Sequence, residues 1–108
     1  CEYCQMHHAQ ALNHYWKNDE KINRLRTDFE TADLTKRELV LCSFANLLTV
    51  NPEAYLDEKY LAPVKKIGIS DNEILDATLV VSYFNFVNRI VMALGLETNE
   101  EEISGYSY

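Results

Sequence analysis

Ser70-Asp-Asn-Glu73-Ile-Leu-Asp-Ala-Thr-Leu-Val-Val-Ser-Tyr-Phe-Asn-Phe-Val-Asn-Arg-Ile-Val-Met-Ala-Leu94-Gly95 is the stretch that decides the fold. Ser70 and Glu73 stand in the spacing of a capping box, in which each side chain satisfies a backbone N–H of the other's turn. Gly95 supplies a residue that tolerates the left-handed conformation ending a helix. The spacing therefore predicts one long helix over 71–94. Its apolar residues are Ile74, Leu75, Leu79, Val80, Tyr83, Phe84, Phe86, Val87, Ile90, Val91 and Leu94, which lie on most sides. A helix of that kind is central, covered by neighbours or by another subunit. Tyr83, Phe84 and Phe86 read as core or subunit interface. Asn88 and Arg89 stand out within such a helix; a buried Arg needs a carboxylate or several carbonyls, so structural pairing, within the chain or across an interface, is the expectation.

Upstream, Gly68 closes a fourth helix that starts at about Pro52 or Asp57 and runs to Ile67. Asn51-Pro52 stops a third, because the residue before proline avoids the helical region. Thr35-Lys-Arg-Glu38 is a second capping box and opens that third helix, with Leu41, Phe44, Ala45 and Leu48 on one face. Asn18 caps a short helix to about Phe29, with Ile22 and Leu25 inward. Residues 1–16 hold no Gly or Pro and also read as helix. Downstream, residues 98–108 are acidic and then Gly/Ser/Tyr-rich, as in an arm or tail. The expected architecture is all-α, a compact helical bundle of about five helices forming one domain over 1–98, with a tail at 99–108. Three Gly and two Pro in 108 residues agree with few turns and long helices.

Seventeen acidic against ten basic residues give a net charge of −7, and the basic residues build no patch. Such a surface repels phosphate backbones, so nucleic acid is not an expected partner. The longest apolar run, 77–84, is too short to span a bilayer, so no membrane is expected either, and the localisation expected is cytoplasmic.

The chemistry-bearing residues lie at the start. Cys1, Cys4, His8, Ala11, Leu12 and Tyr15 recur at spacings of three and four, which places them on one stripe of a helix. The Cα separation of Cys1 and Cys4 there falls within the range a disulfide tolerates. His8 lies one turn beyond Cys4 and is placed to accept its thiol proton. A helix N-terminus or a nearby imidazolium lowers a thiol's pKa below about 8.5, and the thiolate is the reactive form. Cys4 then attacks an oxidant, and Cys1 resolves the product as a disulfide. The catalytic candidates are thus Cys4, Cys1 and His8, with no cofactor and no resident metal. Zinc on Cys1, Cys4 and one of His7 or His8 is an alternative, although structural zinc takes four protein ligands and only Cys42 and His14 remain. His7 lies about 100° round the helix from His8 and faces a neighbour or solvent. His14 reads as a boundary residue, and Cys42, among Leu41, Phe44 and Ala45, as a small core hydrophobe.

Cys1-Glu-Tyr-Cys4-Gln-Met-His-His8-Ala-Gln-Ala-Leu12 resembles the alkylhydroperoxidase D-like branch of the carboxymuconolactone decarboxylase superfamily, and more narrowly its peroxidase-related proteins. Gly68-Ile-Ser-Asp71-Asn-Glu73-Ile74, Tyr83-Phe-Asn-Phe-Val-Asn-Arg89-Ile90 and Leu94-Gly95-Leu96 extend the likeness over most of the chain. The resemblance implies an all-helical fold assembling into a homo-oligomer. It also implies reduction of a hydroperoxide substrate by the cysteine pair, with Cys4 peroxidatic, Cys1 closing the disulfide and His8 in the proton relay. A dithiol electron donor, a lipoyl-bearing protein in the best-known case, supplies the electrons. The family's relay Glu stands roughly a dozen residues before the first Cys, upstream of this sequence, and the chain opens on Cys1 and not Met; a missing upstream part is therefore the expectation. Tyr3 stands where some members have a His, so any relay through that position is lost. The decarboxylase branch lacks the Cys pair, which disfavours lactone chemistry. Two other classes stay open: a non-catalytic oligomeric protein with a zinc-binding or redox-sensing Cys clip, and a decarboxylase- or isomerase-like enzyme using His8 as its base.

Overall fold

A computed structural model describes residues 1–96 of the chain. The tail expected at 99–108, and the domain boundary at 98, lie outside the described residues. Within 1–96 the chain is all-helical, with five α-helices, three short 3-10 turns and no strand. The helices are α1 (Glu2–Trp16), α2 (Asp19–Thr27), α3 (Lys36–Val50), α4 (Ala62–Lys66) and α5 (Asp71–Leu94). The all-α class and the helix count agree with the sequence. The chain divides into two compact units, one of Cys1–Asp33 with the described residues from Val87, the other of Leu34–Phe86. The residues of α5 are shared between them.

In the first unit, α1 ends where Lys17 adopts a left-handed conformation and returns its N–H to the Asn13 carbonyl. Asn13 then ties the two helices together. Its side-chain amide donates to Asp19 (2.7 Å), and its side-chain oxygen accepts the Asn18 N–H (2.8 Å). Asn18 caps α2 as expected, its side chain accepting the Lys21 N–H. The helix stops at Thr27, two residues short of the expected end. Asp28 is extended there, and its carboxylate caps the following 3-10 turn, Phe29–Thr31. Ile22 is buried and Leu25 half-buried, so the inward face of α2 is as read.

In the second unit, the capping box at Thr35 and Glu38 forms with both bonds in place (2.9 and 3.2 Å). α3 carries Phe44 into a core shared with Val64 and Ile69, and Val40, Leu41 and Leu48 pack around it. Tyr55 lays its ring 5.0 Å from that of Phe44 and donates its hydroxyl to the Phe44 carbonyl (3.2 Å).

Two expectations about helices are corrected. The single fourth helix is instead two 3-10 turns, Pro52–Leu56 and Glu58–Tyr60, followed by the short α4. Asp57 is extended and its carboxylate takes the Lys59 N–H, which ends one turn and caps the next. Pro63 cannot sit in a helix interior, where it would remove a hydrogen bond and clash with the preceding turn, so α4 begins around it.

The second correction concerns α5. Its ends are as read, and Gly95 takes a positive φ of 66°. Yet its neighbours within the chain cover only part of it: Val91 is its one buried residue, while Leu75, Leu79, Tyr83, Phe86, Ile90 and Leu94 are exposed. The core of the second unit draws on Ile74 and Ala77, on the opposite side of the helix. Arg89 is exposed too, so it carries no buried charge to be compensated. By length and composition, α5 is long and apolar enough to cross a membrane, with a mean hydropathy of 1.4 over an 18-residue window. The run at 77–84 understated it, because counting stopped at Asn85 while the apolar side chains continue to Leu94.

Candidate functional site

The cysteine cluster occupies the first turn of α1. Cys1 is the N-cap residue, and Cys4 is the third residue of the helix. The Cys1 Sγ accepts the Cys4 backbone N–H at 3.4 Å. That places a sulfur where an Asp or Ser side chain normally satisfies one of the orphan N–H groups. The two cysteines are joined as a disulfide with their Cα atoms 5.4 Å apart. The helix itself sets this separation, since residues three apart stand nearly one above the other. Cys4 is buried, 9% exposed, whereas Cys1 is half-buried. The pair thus presents one sheltered and one approachable sulfur.

His8 lies one turn further along α1 and is exposed. Along the same stripe Ala11 and Leu12 are half-buried, but Tyr15 is 70% exposed. The stripe is therefore buried at Cys4, open at His8, half-buried at Ala11 and Leu12 and open again at Tyr15. His8 is nonetheless held below the ordinary imidazole value of 6.5. Partial desolvation of its ring against the protein is the larger cause, and repulsion from His7 the smaller. Both favour the neutral form, which is the form that accepts a proton.

His7 is half-buried and stacks on Tyr3, with ring centroids 4.4 Å apart. Tyr3 and His7 are thus a pair flanking the cysteines. Sequence reading placed His7 against a neighbour or solvent and offered it as an alternative zinc ligand; the i, i+4 spacing of two rings was the signal for its contact with Tyr3. His14 packs edge-on against Tyr15, a boundary position as expected.

Cys42 is half-buried in α3, and its thiol is raised above the usual 9.0 by burial first and the charge of Glu38 second. Both effects disfavour its thiolate, which suits a packing role. Among the described residues, no group of three or more His, Cys, Asp or Glu side chains gathers as a metal site would require. The zinc alternative on Cys1, Cys4 and a neighbouring His thus lacks a third ligand in place.

Compared with known families and curated proteins, the chain matches no family model and no curated sequence. The likeness to alkylhydroperoxidase D-like proteins rests on the stretches of sequence quoted above.

Proposed function

We propose that this chain is a thiol-dependent hydroperoxide reductase. The observation that carries the reading is the Cys1–Cys4 disulfide in the first turn of a helix, with a neutral-leaning His8 on the next turn. In this reading Cys4 is the nucleophile, Cys1 the resolving thiol and His8 the proton acceptor. The neutral imidazole takes the Cys4 thiol proton. The thiolate attacks the terminal oxygen of the hydroperoxide, the O–O bond breaks, and the alkoxide leaves as an alcohol with the proton held by His8. Cys4 is then a sulfenic acid. Cys1 displaces its hydroxyl as water, forming the disulfide. A dithiol donor, such as a protein-borne lipoyl group, exchanges with that disulfide, is itself oxidised, and returns two thiols. The half-buried Cys1 sulfur is the accessible point of entry for such a donor, and a reducing compartment, the cytoplasm, keeps the cycle supplied.

Reduced protein should lose two thiols per hydroperoxide consumed. Cys4→Ser should abolish consumption, and Cys1→Ser should allow one turnover that stops at a sulfenic acid. Wild-type consumption by Cys4→Ser would refute the assignment. A redox-sensing clip is the second reading, favoured by the burial of Cys4, which impedes substrate access. It predicts a disulfide that forms once with oxidant and shows no continuous turnover in the presence of a dithiol.

A further inference from the structure

Within the first unit, α1 and α2 line a groove of about 160 Å³ that the thiol chemistry does not use. From α1 come Met6, Ala9, Gln10 and Asn13, at i, i+3, i+4 and i+7. From α2 come Asp19, Ile22, Asn23 and Arg26, at the same spacing. Residues so spaced share one face of a helix, so each helix turns a single face to the groove. Met6 lies about 200° round α1 from Cys4, which puts the groove on the side of α1 away from the thiols. Asn13 bonds Asp19 at one end and Gln5 bonds Arg26 at the other, so the two helices run in opposite directions.

The floor of the groove is apolar. Ile22 is 7% exposed, and Met6 and Ala9 are half-buried. The rim is polar and open to solvent: Gln10, Asp19, Asn23 and Arg26 are exposed. An apolar floor with a few convergent polar groups, set between two helices, is the usual make-up of a small-molecule site. The two charges on the rim are of opposite sign and stand at opposite ends. Seven residues separate Asp19 from Arg26, a rise of about 10.5 Å along α2.

Each charge is held in place by a neighbour that does not neutralise it. The Asn13 amide donates to Asp19 Oδ1 at 2.7 Å, which leaves the second carboxylate oxygen for another donor. Arg26 donates from Nη2 to Gln5 Oε1 at 3.4 Å, and a guanidinium has five N–H donors in all. Neither charge is ion-paired among the described residues. Groups fixed before a ligand arrives cost it less ordering on binding.

We propose that this groove binds a small zwitterion of dipeptide size, its ammonium on Asp19 and its carboxylate on Arg26. An extended dipeptide is about 7 Å from end to end, and a charge-assisted hydrogen bond of about 2.8 Å at each end matches the span. A single amino acid is too short to engage both ends. The amides of Gln10 and Asn23 face the peptide group at the middle, and Met6, Ala9 and Ile22 meet its small side chains. A cavity of about 150 Å³ admits benzene, and the open side of the groove takes the rest of the ligand. The dipole of α2 opposes this orientation, but with about half a charge at each end against full side-chain charges in contact. The inference does not depend on the peroxidase reading.

NMR titration of the isotope-labelled full chain with L-alanyl-L-alanine tests it. The backbone amides of Gln10, Ile22 and Asn23 should shift saturably, with a Kd in the millimolar range. The N-acetylated and the C-amidated dipeptide each lack one charge and should bind about fivefold more weakly, the upper end for an exposed charge pair. Asp19→Asn should weaken binding of the free dipeptide by about that factor and leave the N-acetylated form nearly unchanged. Arg26→Gln should do the same with respect to the C-amidated form. The absence of a saturable shift, equal binding of the free and capped dipeptides, or an equal loss for every ligand in both variants would each overturn the proposal.

Discussion

The Cys1 sulfur both caps the helix that begins beside it, accepting the Cys4 backbone N–H at 3.4 Å, and is bonded to the Cys4 sulfur. One residue thus both bonds to Cys4 and meets its backbone N–H.

Alkylation of the reduced, folded protein should separate the three cysteines. Cys1, half-buried where Cys4 is buried, should react before Cys4. Cys42, whose thiolate is disfavoured by burial and by Glu38, should react last. Peptide mass mapping after a short pulse of iodoacetamide at neutral pH reads the order. Modification of Cys42 ahead of Cys1 would contradict the account of Cys42.

His8 should titrate below 6.5 in the folded chain, as followed by its ring proton resonances. The sign for stability follows from a depressed imidazole. The unfolded chain binds the proton first, so the contribution of neutral His8 is complete above about 6.5 and is lost as pH falls through the folded midpoint. Peroxide reactivity that needs a neutral acceptor should persist to more acidic pH than a free imidazole would permit. His7→Gln should move the His8 midpoint upward but not fully to 6.5, because desolvation is the larger cause.

Phe44→Ala should cost about 3–5 kcal/mol in urea unfolding, the range for emptying a packed aromatic site. Phe44 is buried against Val64, Ile69 and Tyr55. Tyr15→Ala, at a 70% exposed position, should change stability far less. Equal losses would mean that the core of the second unit is misplaced.

Loss of the α3 capping box should be smaller and local. Thr35→Ala removes the acceptor for the Glu38 N–H and should cost about 1 kcal/mol, with Thr35→Asp retaining most of it. Thermal or urea unfolding of the three forms measures the difference.

Helix boundaries were legible wherever a side chain closes a terminus by local hydrogen bonding. Thr35 with Glu38, Ser70 with Glu73, Asn18 and Gly95 all act within a few residues of themselves, so their spacing suffices. The 52–67 segment was misread because Asp57 competes with the helix for the Lys59 N–H, and Pro63 forces a fresh start. Periodicity also showed that α5 is apolar, but not which side its neighbours cover. That depends on where Phe44 and Val64 lie in space, and they reach Ile74 and Ala77 alone. At the site, spacing placed Cys1, Cys4 and His8 on one stripe. Whether each position is sheltered depends on contacts distant in sequence, and these bury Cys4 while leaving His8 at the surface.

The most direct test of the redox reading is the intact mass and peptide map of reduced protein after one equivalent of hydroperoxide. The account predicts loss of two hydrogens, a Cys1–Cys4 bridge in the mapped peptide, an unmodified Cys42, and full recovery of both thiols with a dithiol. Unchanged Cys1 and Cys4 thiols after the hydroperoxide has been given time to react, or oxidation confined to Cys42, would contradict it.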